Sequence, residues 1–172
     1  LPDSRVIDYT YDSDGNLTSV TPPSTPTHSF TFNAFSLTAS YVPPNLAGPT
    51  STPTTYAYNN DRQMTVVTRP NSDTITFGYG STSGSLTSIA TPAGNYAITS
   101  QGGLPTVATS SDGYKLERTY SGRLPATDTL KNSTPTTIGT ITRVYDTDFN
   151  LTTETLTPGT GSASAMNFTY DN

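Results

Sequence analysis

The chain has 172 residues and a net charge of −5; 31% of its residues are hydrophobic, 12% are charged and none is cysteine. An acidic chain without a basic run does not suit a nucleic-acid-binding groove, and no apolar stretch approaches the ~18 residues of a membrane helix. Disulfides and thiolate metal sites are excluded because both require cysteine. Threonine and tyrosine are frequent instead, which favours β-strands, and no long segment shows helical apolar periodicity.

A short phrase recurs along the chain: two aromatic residues spaced i, i+2, then a polar turn, then an apolar residue that opens a threonine-rich segment. The first copy runs from Tyr9 to Leu17. A repeat period of this length is typical of stacked supersecondary units. The second aromatic of each pair, called the marker below, falls at Tyr11, Phe32, Tyr58, Tyr79, Tyr120, Tyr145 and Tyr170, with a degenerate copy at Thr99.

Each unit predicts a β-hairpin. Spacing i, i+2 puts both rings on one face of a strand and not of a helix. The segment after the marker is rich in Asp, Asn, Gly and Ser, which suit tight turns, and proline or glycine punctuates the far end of most units. We therefore expect an all-β fold in which tandem antiparallel hairpins form one long, curved or spiralling sheet over residues 1–172, with about seven repeats and no separate catalytic domain. Equivalent aromatics of successive hairpins are expected to share rows, the first row being Tyr9, Phe30, Tyr56 and Phe77.

The chain offers little for catalysis, and we expect it not to be an enzyme. His28 is the only histidine, and no nucleophile with a basic partner is recognisable around it. Glu117 and Glu154 are the only glutamates, and nothing in the sequence places such carboxylates across a cleft as a glycosidase requires. No catalytic residue and no cofactor-binding residue is predicted.

Two turns resemble the start of a calcium loop, with oxygen ligands at alternating positions: Asp12, Asp14 and Asn16 in one copy, and Asp146, Asp148 and Asn150 in the other. A calcium loop of the EF-hand type needs glycine at its sixth position and glutamate at its twelfth. Glycine is instead the fourth residue of the first loop, and neither loop has the glutamate. Asp and Asn also suit a tight turn, so no metal site is predicted.

The phrase Tyr11-Asp12-Ser13-Asp14-Gly15-Asn16-Leu17-Thr18-Ser19-Val20 closely resembles the consensus of RHS/YD repeats, which are named after their Tyr-Asp dipeptide. The match recurs at Asn59-Asn60-Asp61-Arg62-Gln63-Met64-Thr65, at Tyr145-Asp146 and at Tyr170-Asp171, so that it covers essentially the whole chain. Such repeats occur in bacterial RHS polymorphic toxins, in the C components of Tc toxins and in teneurins. There they form a β-sheet strip that spirals into a hollow shell. The family's self-cleaving core motif is not in this segment.

The resemblance implies a segment of shell wall in a secreted or surface bacterial protein. Its partners would be flanking repeats and a toxin or effector domain that is encoded elsewhere in the chain and is enclosed or displayed. The alternative is an adhesive or filament-forming extracellular module. Such a module would bind glycans through its tyrosines, or self-associate through strand edges near residues 1–11 and 167–172. No nucleic acid and no transmembrane segment is expected.

Overall fold

A computed structural model describes residues 5–45 and 51–171. The regular secondary structure of these residues consists of fifteen strands in one sheet, whose order in the sheet is their order in the chain. The all-β prediction of consecutive antiparallel hairpins is confirmed. The described residues form no helix long and apolar enough to cross a membrane.

The chain divides into two compact units, Leu1–Phe77 and Gly78–Asn172. Strands that begin in the first unit are β1 (Asp8–Tyr11), β2 (Leu17–Thr21), β3 (His28–Phe32), β4 (Thr38–Val42), β5 (Thr54–Tyr58), β6 (Met64–Thr68) and β7 (Thr74–Tyr79). Strands of the second unit are β8 (Leu86–Thr91), β9 (Gly94–Gln101), β10 (Leu104–Ser110), β11 (Lys115–Ser121), β12 (Leu124–Lys131), β13 (Thr137–Tyr145), β14 (Leu151–Pro158) and β15 (Ser164–Asn167).

A β-bulge accompanies the marker in most hairpins. Tyr11 faces Leu17, whereas the preceding residue Thr10 faces Ser19, so Thr18 is the extra residue of the second strand. The same shift occurs beside Phe32, Tyr58, Tyr120 and Tyr145. Bulges bend a strand and redirect its side chains, so their recurrence gives these five hairpins the same local geometry at the turn.

The predicted rows of aromatics are wrong in register. Tyr9 faces Val20, which faces His28, and His28 lies two residues before Phe30 on β3. Phe30 in turn faces Tyr41, which faces Thr54, two residues before the next expected partner. Each hairpin is therefore staggered by two residues against the one before, and aromatics of neighbouring hairpins meet diagonally.

Successive residues of each strand point to alternate faces of the sheet. One face carries most of the aromatic and large apolar side chains and, in the second unit, also Arg118, Asp128, Arg143 and Glu154. The other carries hydroxyls: in the second unit Thr119, Thr127, Thr142 and Thr155 lie side by side on four successive strands. The first two share a hydrogen bond of 2.7 Å between their Oγ1 atoms, and cross-strand hydroxyl pairs of this kind stabilise a sheet.

The described part of the sheet has no hydrophobic core on either side. Among the described residues no hydrophobic side chain is buried, and Asp128, at 8% exposure, is the one buried polar residue. The apolar face of the second unit leaves large side chains in solvent, among them Leu116, Leu130 and Leu156, the last 51% exposed. The ladder of main-chain hydrogen bonds and the contacts of half-buried side chains therefore hold these hairpins together.

Candidate functional site

The marker tyrosines join successive hairpins. Tyr58 Oη donates a hydrogen bond to the carbonyl oxygen of Thr38, 2.9 Å away, in the hairpin before its own. Three further markers make the equivalent bond: Tyr120 to Pro105 at 2.7 Å, Tyr145 to Pro125 at 2.9 Å and Tyr170 to Leu151 at 2.9 Å. We call this bond the hydroxyl link.

The acceptor of the hydroxyl link has a fixed position. Thr38 faces Phe32, the preceding marker, and Pro125 faces Tyr120, again the preceding marker. Leu151 likewise faces Tyr145. Pro105 faces Ser100 on β9, so the marker position of that hairpin is Ser100, one residue after Thr99. Each hydroxyl thus reaches the main chain at the same place on its neighbour, and this sets the register between hairpins.

The surroundings of the linking tyrosine favour its neutral form. Burial, followed by the charge of nearby Tyr56, raises the pKa of the Tyr58 phenol. A neutral phenol keeps the proton that it donates to the carbonyl of Thr38.

The residue after the marker closes the turn. Asp12 Oδ1 accepts main-chain N–H groups from Asp14 at 3.0 Å and from Asn16 at 2.8 Å. An Asp or Asn side chain that bonds to the backbone two residues on forms an Asx turn. The same two bonds, from residues two and four positions on, recur at Asn33, Asn59 and Asp146. The Tyr-Asp dipeptide therefore unites a residue that links hairpins with one that shapes the turn.

The Asp residues of these turns are kept ionised by their local bonds. The side-chain amide of Asn16, followed by its main-chain N–H, lowers the pKa of Asp12. The main-chain N–H of Asn150 does the same for Asp146. In both residues one carboxylate oxygen accepts two main-chain N–H groups and the other accepts an amide, so the oxygens already have partners inside the turn.

The two calcium-like turns do not gather a ligand set in the structure. The described residues contain no group of three or more His, Asp or Glu side chains that could hold a metal ion. That no metal binds stays a prediction.

An aromatic groove lies in the first unit between β3 and β6. Its volume is about 530 Å³, and it is lined by His28, Phe30, Thr38, Tyr41, Tyr56, Tyr58 and Met64. Tyr41 stacks on Phe30 with a centroid distance of 5.2 Å, and on the ring of His28 at 6.0 Å. Nδ1 of His28 lies 2.9 Å from Tyr41 Oη, so the histidine is fixed by a tyrosine and not by a catalytic partner.

A charged ladder crosses four strands of the second unit. Arg118 on β11 holds both carboxylate oxygens of Asp128 on β12, at 2.5 and 2.9 Å. Arg143 on β13 joins the same Asp128, at 2.9 Å, to Glu154 on β14, also at 2.9 Å. The bond from Arg118, partly opposed by burial, lowers the pKa of Asp128.

The two glutamates do not form a catalytic pair. Glu154 belongs to the charged ladder, whereas Glu117 pairs with Lys131 at 2.6 Å. Glu117 shares a row with Thr129 on the hydroxyl face, and Glu154 faces Arg143 on the other face. Two carboxylates on opposite faces of a sheet cannot act on one bond between them.

These features define a class of protein: tandem β-hairpins, each closed by an Asx turn and linked to its neighbour through a tyrosine hydroxyl. The family model of the teneurin YD-shell matches residues 1–172, and the chain belongs to that family. The resemblance to RHS/YD repeats is thereby confirmed. No protein among the curated sequences compared matches the chain.

Solved structures share the fold at low sequence identity. The crystal structure of TcdB2-TccC3 without its hypervariable C-terminal region has a TM-score of 0.79 at 14% identity, and that of TcdB2-TccC3-Cdc42 has 0.78 at 16%. Both comparisons cover 100% of this chain but only 10% of the other. A Tc holotoxin pore from Photorhabdus luminescens matches with a TM-score of 0.64 at 13% identity, covering 94% of this chain and 9% of that one.

Proposed function

We propose that this chain is a segment of shell wall in a secreted or surface bacterial protein, and that the wall encloses or displays a toxin or effector domain encoded elsewhere in the polypeptide. Family membership supports a structural role, and the fold-level likeness to the TcdB2-TccC3 structures supports a toxin shell. The chain spans about a tenth of those matched chains, which fits one part of a larger enclosure.

One observation carries the proposal: the sheet has two different faces and no hydrophobic core. Leu116 and Leu130 face each other on the apolar side and remain exposed within the described structure. Burial of apolar surface is the main force that stabilises folded proteins, so a face of this kind requires a cover. The hydroxyl face has less need of a cover, since its Thr side chains pair with one another or meet water and Val144 is its one apolar residue among the large exposed ones on β11–β14. We infer that the apolar face points into the enclosure and the hydroxyl face points outward.

Cysteine accessibility in the intact polypeptide tests this orientation. Thr129 and Leu130 are neighbours on β12 and project from opposite faces. The 172 residues contain no cysteine, so Thr129→Cys and Leu130→Cys each add one thiol to this segment. We expect a bulky maleimide to label Thr129→Cys quickly, and to label Leu130→Cys only after denaturation. Equal labelling of both sites in the folded polypeptide would refute an enclosed apolar face.

The second candidate is the adhesive or filament-forming module, and β15, the last strand of the sheet among the described residues, favours it. All four residues of Ser164–Asn167 are exposed, and none is charged or proline. Unpaired edges without such protection are templates for further pairing. Sedimentation of the intact polypeptide over a concentration series tests this, because flanking repeats would cover β15 in a shell wall. Assembly that is abolished by Ala165→Lys, a charge placed on β15, supports the self-associating module. A monomer at all concentrations removes self-association.

A further inference from the structure

We propose that Asp14 is a site of spontaneous isoaspartate formation, a covalent change of the main chain that needs no cofactor. The main-chain nitrogen of Gly15 attacks the side-chain carboxyl carbon of Asp14, and the new C–N bond closes a five-membered succinimide. The carboxyl hydroxyl leaves as water together with the N–H proton. Water then adds to the main-chain carbonyl of the succinimide, and opening there joins Asp14 to Gly15 through the side-chain carboxyl. This modification is independent of the wall function, because it concerns one turn of the first hairpin.

Glycine on the carboxyl side of the aspartate is the first requirement. A residue without a Cβ leaves the approach of its nitrogen to the carboxyl carbon unhindered. The chain contains two Asp-Gly dipeptides, at residues 14–15 and 112–113, and its other Asp residues are followed by larger side chains. The sequence therefore restricts the reaction to two candidate sites.

Space for the succinimide ring is the second requirement, and it separates the two dipeptides. A Cβ built on Gly15 would meet no atom within 4 Å, whereas one built on Gly113 would lie 3.0 Å from Cβ of Ser133, in the turn after β12. The main chain at Gly113 is thus held against a neighbouring turn. The ring cannot close there until that turn opens.

The carboxylates of the two sites differ in the same sense. Asp14 is exposed, and its carboxylate has no hydrogen-bond or ion-pair partner among the described residues. The carboxylate of Asp112 accepts a hydrogen bond from the hydroxyl of Ser110, which holds it in place. The side chain of Asp14 is therefore the freer of the two to rotate towards the main chain.

An equivalent turn in the second unit isolates the role of glycine. The N–H of Asp148 bonds to the side chain of Asp146 at 2.9 Å, as that of Asp14 bonds to Asp12 at 3.0 Å. The N–H of the following residue donates to a main-chain oxygen at 3.2 Å in both turns. The residue after Asp148 is Phe149, whose side chain hinders attack by its own nitrogen. Of these three sites, Asp14 alone combines glycine, space and a free carboxylate.

The modification disturbs the turn in which it occurs. It moves one carbon from the side chain of Asp14 into the main chain, between two N–H groups that Asp12 Oδ1 accepts, those of Asp14 and Asn16. Loop length fixes the register of a hairpin. The lengthened main chain is therefore expected to weaken the pairing of Tyr11 with Leu17.

Ageing of the intact polypeptide at mildly acidic pH tests the proposal, with isoaspartate located by proteolysis and electron-transfer mass spectrometry. In the folded polypeptide, isoaspartate should accumulate at least about tenfold faster at Asp14 than at Asp112, whose turn must first open. In urea the two sites should differ by less than about twofold, because only the local sequence then remains. Gly15→Phe should suppress the reaction at Asp14, and Phe149→Gly should introduce it at Asp148.

Equal accumulation at Asp14 and Asp112 in the folded polypeptide would overturn the proposal, as would an Asp14 that reacts no faster than Asp148. If Gly15→Phe fails to fold, Phe149→Gly decides the matter, since glycine suits the φ of 67° at that position. No isoaspartate at Asp148 in that variant would refute the role of glycine in an open turn. Hydrogen-exchange protection of β1 and β2 should fall as the product accumulates, and unchanged protection would refute the effect on the turn.

Discussion

Adding a missing hydroxyl link should stabilise the first unit. Phe32 is the one aromatic marker without a hydroxyl group, so the hairpin β3–β4 has no such bond to β1–β2. The acceptor is already present: Leu17 faces Tyr11, the preceding marker, as Thr38 faces Phe32. Leu17 also lies fifteen residues before Phe32, the spacing of Pro105 from Tyr120. We predict that Phe32→Tyr donates to the carbonyl oxygen of Leu17.

The size of the expected stabilisation follows from replacing a hydrogen bond to water by one within the protein. A net intramolecular hydrogen bond contributes about 0.5–1.5 kcal/mol, and the ring of Phe32 is half-buried. The reverse change, Tyr145→Phe, removes an existing link and should cost about 1 kcal/mol. The pairing between β2 and β3, which joins the first two hairpins, has only two register pairs: Ser19 with Ser29 and Val20 with His28. The added hydrogen bond should therefore stabilise this pairing most noticeably.

Native-state hydrogen exchange is the suitable assay because it resolves single strands. Protection of β2 and β3 amides should rise about 2–10-fold in Phe32→Tyr, since 1.4 kcal/mol corresponds to a factor of ten. Phe30→Tyr is the matched control, because it adds the same atom to the same strand two residues from the marker position. Equal protection of β2 and β3 amides in Phe32→Tyr and Phe30→Tyr would refute this prediction. So would unchanged protection of the β12 and β13 amides in Tyr145→Phe.

Four further outcomes are expected. Tyr58→Ala should lower the free energy of unfolding, measured by urea denaturation, by about 2–4 kcal/mol. Ser81→Ala, in an exposed turn, is the control and should change it by less than about 0.5 kcal/mol. Equal small effects at both sites would mean that the marker ring does not contribute to stability. Phe149→Gly should stabilise the fold by about 0.5–1 kcal/mol, because Phe149 has a φ of 67° and a left-handed conformation costs a non-glycine residue about 1–2 kcal/mol. The greater freedom of glycine in the unfolded chain offsets part of this gain. A loss of stability would show that the exposed ring of Phe149 contributes contacts. The folded-state pKa of Asp128 is lowered, so its contribution to stability is complete above its unfolded pKa of about 3.9 and is lost as the pH falls through the lower folded value. Asp128→Asn should remove this pH-dependent part of the stability. The urea midpoint of the variant should therefore change less with pH across that window than the midpoint of the unsubstituted chain. Calorimetric titration with calcium should give no micromolar binding, and tight binding that Asp14→Ala abolishes would contradict the Asx-turn interpretation.

Much of the repeat geometry was accessible from the sequence. The spacing of the aromatic pair predicts strands, and the polar residues after Tyr11 and Tyr145 predict the turns, because period two and turn chemistry are local properties. The pairing between hairpins was not accessible. It depends on bulges and on a two-residue stagger, neither of which has a local sequence signal, and the expected row of Tyr9 with Phe30 failed for that reason.

The charged ladder shows how one bulge hides a site from sequence analysis. Counting back from the pair Tyr120 and Pro125 without a bulge, Arg118 would face Thr127. The bulge shifts the partner by one residue, to Asp128, and so turns a neutral contact into a bidentate ion pair. The degenerate marker expected at Thr99 is likewise off by one residue, since Ser100 occupies the marker position in the structure.

The hydroxyl link has a consequence for how such chains evolve. Its acceptors include the main-chain oxygens of Thr38, Pro105, Pro125 and Leu151, which belong to three different residue types. A donor that recognises only the backbone tolerates any side chain at the neighbouring position. One repeat can therefore drift, or be duplicated or exchanged, without a compensating change in the next. This independence agrees with a fold that is retained at 14% identity to TcdB2-TccC3.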